Sequence, residues 1–389
     1  AHPRDVGDRA LHRRGGAVRR RDFLKTAGAA AALAGGSTVT SALAGRASAS
    51  GRGGDFSLWS WVHGNREYDA DEWRRRFARL REAGFRAVLV GGGDVELVSG
   101  AARAEGLEYH RWFWTMNRNG DEWAQENHPE WFTVSRNLES SLEKPPYVNY
   151  YRWVCPSRAP VREYLSRRVG ELAANPGVGG VHLDYVRHCD VILPRGLWER
   201  YNLVQDVEHP EFDFCYCDVC RERFAALDGR DPLEIPDPPA DEAWRRFRWD
   251  SVTGAVRELA AAVHEHHKPI TAAVFPTPAV ARRLVRQSWE EWPLDRFFPM
   301  LYQGFYLEDI AWIGECVREG VAALAGGGGE GRPRPGTPLH AGLYLPSLEP
   351  AELAGAVAVA REEGAAGVAT FEMHGLSDEH LAALRGVVG

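Results

Sequence analysis

The chain has 389 residues, of which 44% are hydrophobic and 26% charged, an ordinary globular composition with enough apolar material for one large core. Its formal net charge of −7 argues against nucleic acid or an anionic membrane surface as the main partner. Fourteen Trp and twelve Tyr can stack on sugar rings, but they also fill cores, so they tilt the reading only slightly toward carbohydrate.

In chain order, an address comes first. Arg19-Arg20-Arg21-Asp22-Phe23-Leu24-Lys25 precedes a weakly apolar run from Ala27 to Ala34, and small residues then lead to Ala47-Ser48-Ala49. This looks like a twin-arginine export signal over residues 1–50, with Arg20 and Arg21 as the pair; a basic tail without order is the alternative. The apolar run is shorter than the roughly 20 residues that span a bilayer, so no transmembrane anchor is expected. The chain would engage the twin-arginine export machinery and work in a secreted or periplasmic location.

Residues 51–389 then alternate strand-like and helix-like segments. Phe56 to Trp61 reads as a first strand. Asp69 to Ala83 reads as a helix, with a capping box from Asp69 and Glu72 and an apolar stripe of Trp73, Phe77 and Leu80. The continuous apolar run Phe85 to Val90 is a strand buried on both faces. A helix from Val95 to Glu105, a third strand from Glu108 to Thr115 and an amphipathic helix from Val161 to Ala174 follow, the last with Val161, Leu165, Val169 and Leu172 on one side. The fourth strand is Gly180 to Asp184, and a long helix covers Asp241 to Glu265. Strands at Ile270–Phe275, Phe298–Tyr302, Leu339–Leu345 and Gly367–Phe371 come next. The last three are followed by helices at Leu307–Leu324, Glu349–Glu363 and Ser377–Val388. Eight such units predict an α/β fold, a (β/α)8 TIM barrel, over a doubly wound open sheet, because Gly91-Gly92-Gly93 lacks the spacing of a phosphate-binding loop. Residues 116–160 and 185–240 form long connections after the third and fourth strands, and such loops cover the catalytic face of a barrel.

Barrel sites are built at the C-terminal ends of the strands. Those ends offer Trp61, His63 and Asn65; Trp112, Trp114 and Asn117; Asp184, Tyr185 and Arg187; Tyr302 and Gln303; Tyr344; and Glu372 and His374. A polar and aromatic ring with two carboxylates suits an uncharged, hydroxyl-rich ligand and lacks the cationic cluster that a phosphorylated one needs. Glycoside hydrolysis uses two carboxylates, one as proton donor and one as nucleophile or base. Asp184, directly after an apolar strand, is the first candidate, with Arg187 a possible ion-pair partner. A structural Asp184–Arg187 pair is the alternative. Glu372 is the second candidate, and Asp94 and Asp295 are substitutes. His182 shares the strand face of Asp184, as a core residue or in the cleft. No His-x-His or His-Glu-x-x-His spacing joins His63, His182 and His374, although their ligand types leave a catalytic divalent metal open.

Cys215-Tyr216-Cys217-Asp218-Val219-Cys220 is awkward spacing for disulfides and natural for thiolates converging on zinc, with Cys155 or Cys189 as the fourth ligand; disulfides remain the competing reading. Four thiolates would leave no open position, so such a zinc would be structural.

Two resemblances rest on these segments. Gly180-Val181-His182-Leu183-Asp184-Tyr185-Val186-Arg187, with His110-Arg111-Trp112-Phe113-Trp114-Thr115-Met116-Asn117 and Pro299-Met300-Leu301-Tyr302, resembles bacterial glycosyl-hydrolase-like barrel proteins described as family ten-like. The likeness covers most of the chain after residue 55 and implies a (β/α)8 fold acting on polysaccharide or glycoside. Cys155-Pro156-Ser157 with Cys215-x-Cys217-x-x-Cys220-Arg221-Glu222-Arg223-Phe224 is similar to the structural zinc cluster of family forty-two β-galactosidases. That match implies Cys155, Cys215, Cys217 and Cys220 as ligands, with Cys189 and Cys316 free. The chain departs from that family, whose catalytic Glu residues stand on the fourth and seventh strands: here the fourth ends in Asp184 and the seventh has no carboxylate.

The expected function is thus an exported glycoside hydrolase with a carbohydrate substrate, a structural zinc and no organic cofactor. A non-catalytic glycan-binding barrel and a metal-assisted sugar isomerase or lyase are the alternatives.

Overall fold

The computed structural model describes residues 56–326 and 328–388. The expected export segment therefore lies outside the described residues. Among those residues, no helix is long and apolar enough to cross a membrane.

Eight parallel strands form one sheet: β1 (Ser57–Gly64), β2 (Phe85–Gly92), β3 (Glu108–Trp114), β4 (Gly180–Asp184), β5 (Ile270–Val274), β6 (Arg296–Pro299), β7 (His340–Tyr344) and β8 (Gly367–Phe371). Their order is β6-β5-β4-β3-β2-β1-β8-β7. Parallel bridges Phe297–Leu339 and Met300–Gly342 join β6 to β7 and close the ring, which makes it a (β/α)8 barrel rather than an open sheet. A helix follows each strand in turn: Ala70–Glu82, Val95–Ala104, Ala159–Ala174, Glu242–His264, Pro278–Val285, Ile310–Ala325, Pro350–Glu362 and Asp378–Val388.

The period-2 alternation of side chains sorts each strand into two faces. On β1, Leu58 and Val62 join the shell between sheet and helices, while Trp59 and Trp61 enter the barrel with Ala87, Leu89, Trp112, Ala273, Phe298 and Ala369. Large indoles fit there because their neighbours are small. A Cβ on Gly91 would lie 2.7 Å from the Trp112 ring, and one on Gly342 3.2 Å from Trp61. Outside the barrel, Trp73, Phe77 and Leu80 bury one face of the first helix, each contributing about 1.5–3 kcal/mol.

Several boundaries and details differ from expectation. β6 runs from Arg296 to Pro299, earlier than the apolar run suggested; the Met300 and Leu301 amides still donate to the Val274 and Gly342 carbonyls, while Pro299, with no N–H, interrupts the pairing with β7. Tyr302 and Gln303 accordingly sit in a turn and short helix beyond the strand. Only half of the expected capping box forms: Asp69 accepts from the Glu72 amide, but the Glu72 carboxylate is taken by Arg75 and Arg76. Leu172 is half-buried, and Tyr164 and Ala173 join Val161, Leu165 and Val169 on the packed face instead.

The long connections after β3 and β4 are folded onto one another. Bridges Asn117–Trp153 and Phe132–Val154 fold the first back on itself, Ser135–Phe214 ties it to the second, and the second carries its own helix, Asp218–Asp228. Fully buried Asp213 lies at their root, bound by Arg248 and, at 2.7 Å, by the Tyr216 hydroxyl.

Candidate active site

Three rings of inward side chains stack up the barrel. At the bottom Trp59 meets His110, Phe298 and His340, with ring centroids 5.0–5.5 Å apart. In the middle Trp61 meets His182, Phe298 and Phe371 at 5.6–6.0 Å. At the top His63 meets Trp112 at 5.0 Å and Phe371 at 5.9 Å. The top ring lies at the C-terminal ends of the strands, where a barrel keeps its chemistry.

Two carboxylates stand in that ring. Asp184, the last residue of β4, is half-buried; its Oδ2 accepts from Trp112 Nε1 at 3.0 Å and its Oδ1 from the Tyr185 amide at 2.7 Å. Burial pushes its carboxyl above the usual range, and those two hydrogen bonds with the charges of Arg187 and His63 only partly offset this. Glu372, the residue after β8, accepts from or pairs with His374 Nδ1 at 2.7 Å and lies 3.6 Å from His63 Nδ1. Burial by itself would raise Glu372 too, but hydrogen bonds and charge from His374 and His63 prevail and hold it near about 2. A continuous chain of side chains, Asp184–Trp112–His63–Glu372–His374, therefore joins the two acids across the mouth.

Tyr185 follows Asp184 with φ of +50°, a left-handed conformation that L residues adopt at a cost of about 1–3 kcal/mol and that is concentrated at functional sites. It packs against Trp114 at 4.7 Å and against Trp153 at 5.6 Å. On the other side of the mouth Tyr302 and Tyr344 approach to 5.2 Å, and Phe371 lies 6.0–6.3 Å from both. Burial raises the Tyr302 phenol well above its ordinary value, with the Asp184 and Tyr344 charges adding to it, so it remains a neutral donor.

Other expected site residues are placed elsewhere. Arg187 does not pair with Asp184: it is buried, binds Asp190 Oδ2 at 2.9 Å and lies over Trp153 and Phe275, supporting Tyr185 from below. Trp61 is 1% exposed and donates its indole N–H to His182, which resolves His182 as a core residue bound also to Thr271. Neither is positioned to touch a ligand. Asn117 is buried in the loop bridge, and its Oδ1 accepts from the Asn119 amide. Gln303 is buried and donates to the Ser347 hydroxyl and carbonyl. Asn65 Oδ1 caps a turn at the Glu67 amide. Neither substitute carboxylate is found in contact with Asp184 or Glu372. Asp94 caps the helix Val95–Ala104, and Asp295 precedes β6 at the opposite end of the barrel, bound by His264 and the Ile270 amide. Phe371 was missed: period-2 alternation along Gly367–Phe371 puts it inward with Ala369, and that signal was present in the sequence.

The cysteines converge. Sγ of Cys155 lies 3.4 Å from that of Cys220 and 3.8 Å from that of Cys217, and the four sulfurs of Cys155, Cys215, Cys217 and Cys220 are all within 4.8 Å of one another. A tetrahedral thiolate site with metal–sulfur bonds of about 2.3 Å has sulfur–sulfur edges of about 3.8 Å, so this set fits a metal. None of the four is in a disulfide, and the Val134 amide donates to Cys215 Sγ. Cys189, the alternative ligand, is buried outside the set. Among the described residues, these four are the one His/Cys/Asp/Glu group arranged for a metal.

No protein-family model matches the chain, and no curated protein sequence matches it. Solved structures do. The catalytic domain of β-amylase from Paenibacillus polymyxa is similar over 86% of this chain and 97% of that one, at 10% identity and a TM-score of 0.58. The PgaB (BpsB) glycoside hydrolase domain from Bordetella bronchiseptica aligns over 86% and 99%, at 13% identity and 0.60. Gan42B, a GH42 β-galactosidase from G. stearothermophilus, aligns over 84% of this chain and 56% of its own, at 13% identity and 0.53. At such identities the likeness establishes the shared barrel.

Proposed function

We propose that the chain is a glycoside hydrolase whose proton donor is Asp184 and whose ionised partner is Glu372. The observation that carries this is the divergence of the two carboxyls: burial drives Asp184 up, while two histidines hold Glu372 at about 2. Opposed shifts in one site assign an acid and a base, and cleavage of a glycosidic bond needs both. Asp184 protonates the departing oxygen, with Trp112 Nε1 fixing its carboxyl. Glu372, fixed by His63 and His374, attacks the anomeric carbon or takes a proton from the attacking water. Trp114, Tyr185, Tyr302, Tyr344 and Phe371 provide the aromatic walls on which sugar faces rest. The fold neighbours that are glycoside hydrolases by name support the reading as analogy.

Cys155, Cys215, Cys217 and Cys220 would hold a structural zinc that pins the two long loops beside the mouth and takes no part in the chemistry. Residues 1–50 would direct export of the chain by the twin-arginine route, to a secreted or periplasmic location.

The test is product release from a panel of plant, microbial and host polysaccharides, with the unaltered chain beside Asp184→Asn. Reducing ends from the unaltered chain alone support the assignment. Retained glycan binding with no cleavage by either overturns it in favour of a binding protein, the reading that β7, ending in Tyr344 with no carboxylate, favours.

A further inference from the structure

Cys155, Cys215, Cys217 and Cys220 are all buried, with their sulfurs within 4.8 Å of one another. A divalent ion on four thiolates leaves two negative charges in surplus, and buried charge is costly unless opposite charge or hydrogen bonds offset it. Part of the offset comes from dipoles. The Val134 amide donates to Cys215 Sγ at 3.4 Å, and the helix Asp218–Asp228 starts from Cys217 with Cys220 in its first turn.

A full positive charge comes from Arg158. It stands three residues after Cys155, and its amide donates to the Cys155 carbonyl at 3.3 Å, which closes a turn beside that cysteine. Arg162, at 2.9 Å, and Arg223, at 2.5 Å, both donate to the Ser157 carbonyl and so fix the segment between Cys155 and Arg158. The Arg158 side chain is 12% exposed. Burial works against its charge, but Cys217, Asp218, Cys155 and Cys215 together outweigh burial. Its NH2 group binds the Asp218 carboxylate and its Nε has no hydrogen-bond partner, so it acts on the sulfurs through charge.

Asp218 follows Cys217 directly, so the Arg158–Asp218 pair joins the same two loops that the cysteines join. The pair could serve only as a tie between loops, but the Asp218 side chain is 65% exposed, and ion pairs open to water contribute little. The thiolate set is the larger and more deeply buried negative charge that the guanidinium faces.

We infer that Arg158 is the counter-charge of the metal–tetrathiolate centre, tightening its hold on the ion by offsetting part of the surplus negative charge, and that Asp218 opposes it. The inference rests on the zinc reading above and is independent of the glycosidase one.

The experiment is zinc affinity of the full chain, measured by competition with a chromophoric chelator, for the unaltered protein, Arg158→Gln, Arg158→Lys and Asp218→Asn. Cobalt(II) absorption reports whether four thiolates still bind. Arg158→Gln should weaken zinc about tenfold, within the usual effect of removing a group that supports metal ligands from outside. Arg158→Lys keeps the charge and should restore most of the loss. Asp218→Asn removes a like charge and should leave zinc held equally or more tightly. Equal weakening by Arg158→Gln and Asp218→Asn marks a mere tie between loops and overturns the inference, as does zinc held equally by Arg158→Gln and the unaltered chain. If Arg158→Gln takes up no metal, recovery in Arg158→Lys supports the inference and its absence overturns it. An unaltered chain that binds no zinc refutes the zinc reading itself, which the other failures leave standing.

Discussion

Asp184 and Glu372 both end a barrel strand, yet their surroundings send them in opposite directions, and the pH dependence of the chain follows. Activity needs Asp184 protonated and Glu372 ionised. It should fall as pH rises through the raised Asp184 value, and on the acid side should persist toward about 2 for as long as the fold holds. Trp112→Phe removes a hydrogen bond that lowers Asp184, so the basic limb of kcat/KM should move to higher pH; an unmoved limb would separate Asp184 from the acid role. Asp184→Asn should cost about 10²–10⁴ in kcat, the usual contribution of a positioned acid. Glu372 is depressed from an unfolded value of about 4.3, so its interactions with His63 and His374 should add roughly 1–3 kcal/mol of stability above that pH, lost as pH falls toward about 2. Glu372→Gln should abolish that increment in urea unfolding near neutral pH, as well as activity.

At the scale of elements, precision in the site comes from glycine opposite tryptophan. A methyl group at Gly91 would enter the Trp112 ring, and Trp112 holds the Asp184 carboxyl. Gly91→Ala should therefore destabilise the fold by about 1–3 kcal/mol through overpacking and also lower kcat, by displacing the indole donor; circular dichroism melts and steady-state rates check both. The two long loops depend on the cysteine set. Elemental analysis should find one zinc per chain, and Cys217→Ser should release it and open residues 116–160 and 185–240 to proteolysis while the barrel helices stay protected. Much of this element scale was legible from the residues. Hydrophobic runs marked the strands, β8 to the residue, and Asp241 marked the start of the long helix, where its side chain indeed accepts from the Trp244 amide. β6 was misplaced because Phe297-Phe298-Pro299-Met300-Leu301 is apolar throughout and nothing in that run marks where regular pairing gives way to single bridges with β7.

Across the whole molecule, the barrel interior holds several buried imidazoles, His110, His182 and His340 among them. His182 and His340 are fully or almost fully buried, and desolvation lowers both, His340 to about 3 with Arg296 contributing. A neutral histidine whose folded value lies below its unfolded value of about 6.5 stabilises the fold above that pH and loses the contribution as pH falls. Stability measured by urea unfolding should hence decline progressively below about pH 6.5, before most carboxylates titrate. A flat profile between pH 7 and 4.5 would contradict the buried neutral assignment.

The order of elements, the eight-fold count and the spacing of the cysteines are local properties of the chain, set by period, capping and turn chemistry, and so the residues alone determined them. The identity of the partners was not local. Arg187 stood three residues from Asp184 in sequence but turned to Asp190, because a buried guanidinium takes the carboxylate that can enclose it and leaves the half-solvated one to Trp112 and the Tyr185 amide. Trp61 and His182 satisfied each other inside the barrel, although a strand end and an aromatic ring had marked Trp61 for the cleft. Which indole faces a ligand and which carboxyl keeps its proton depend on burial and on neighbours brought from other strands, and only the closed barrel decides those.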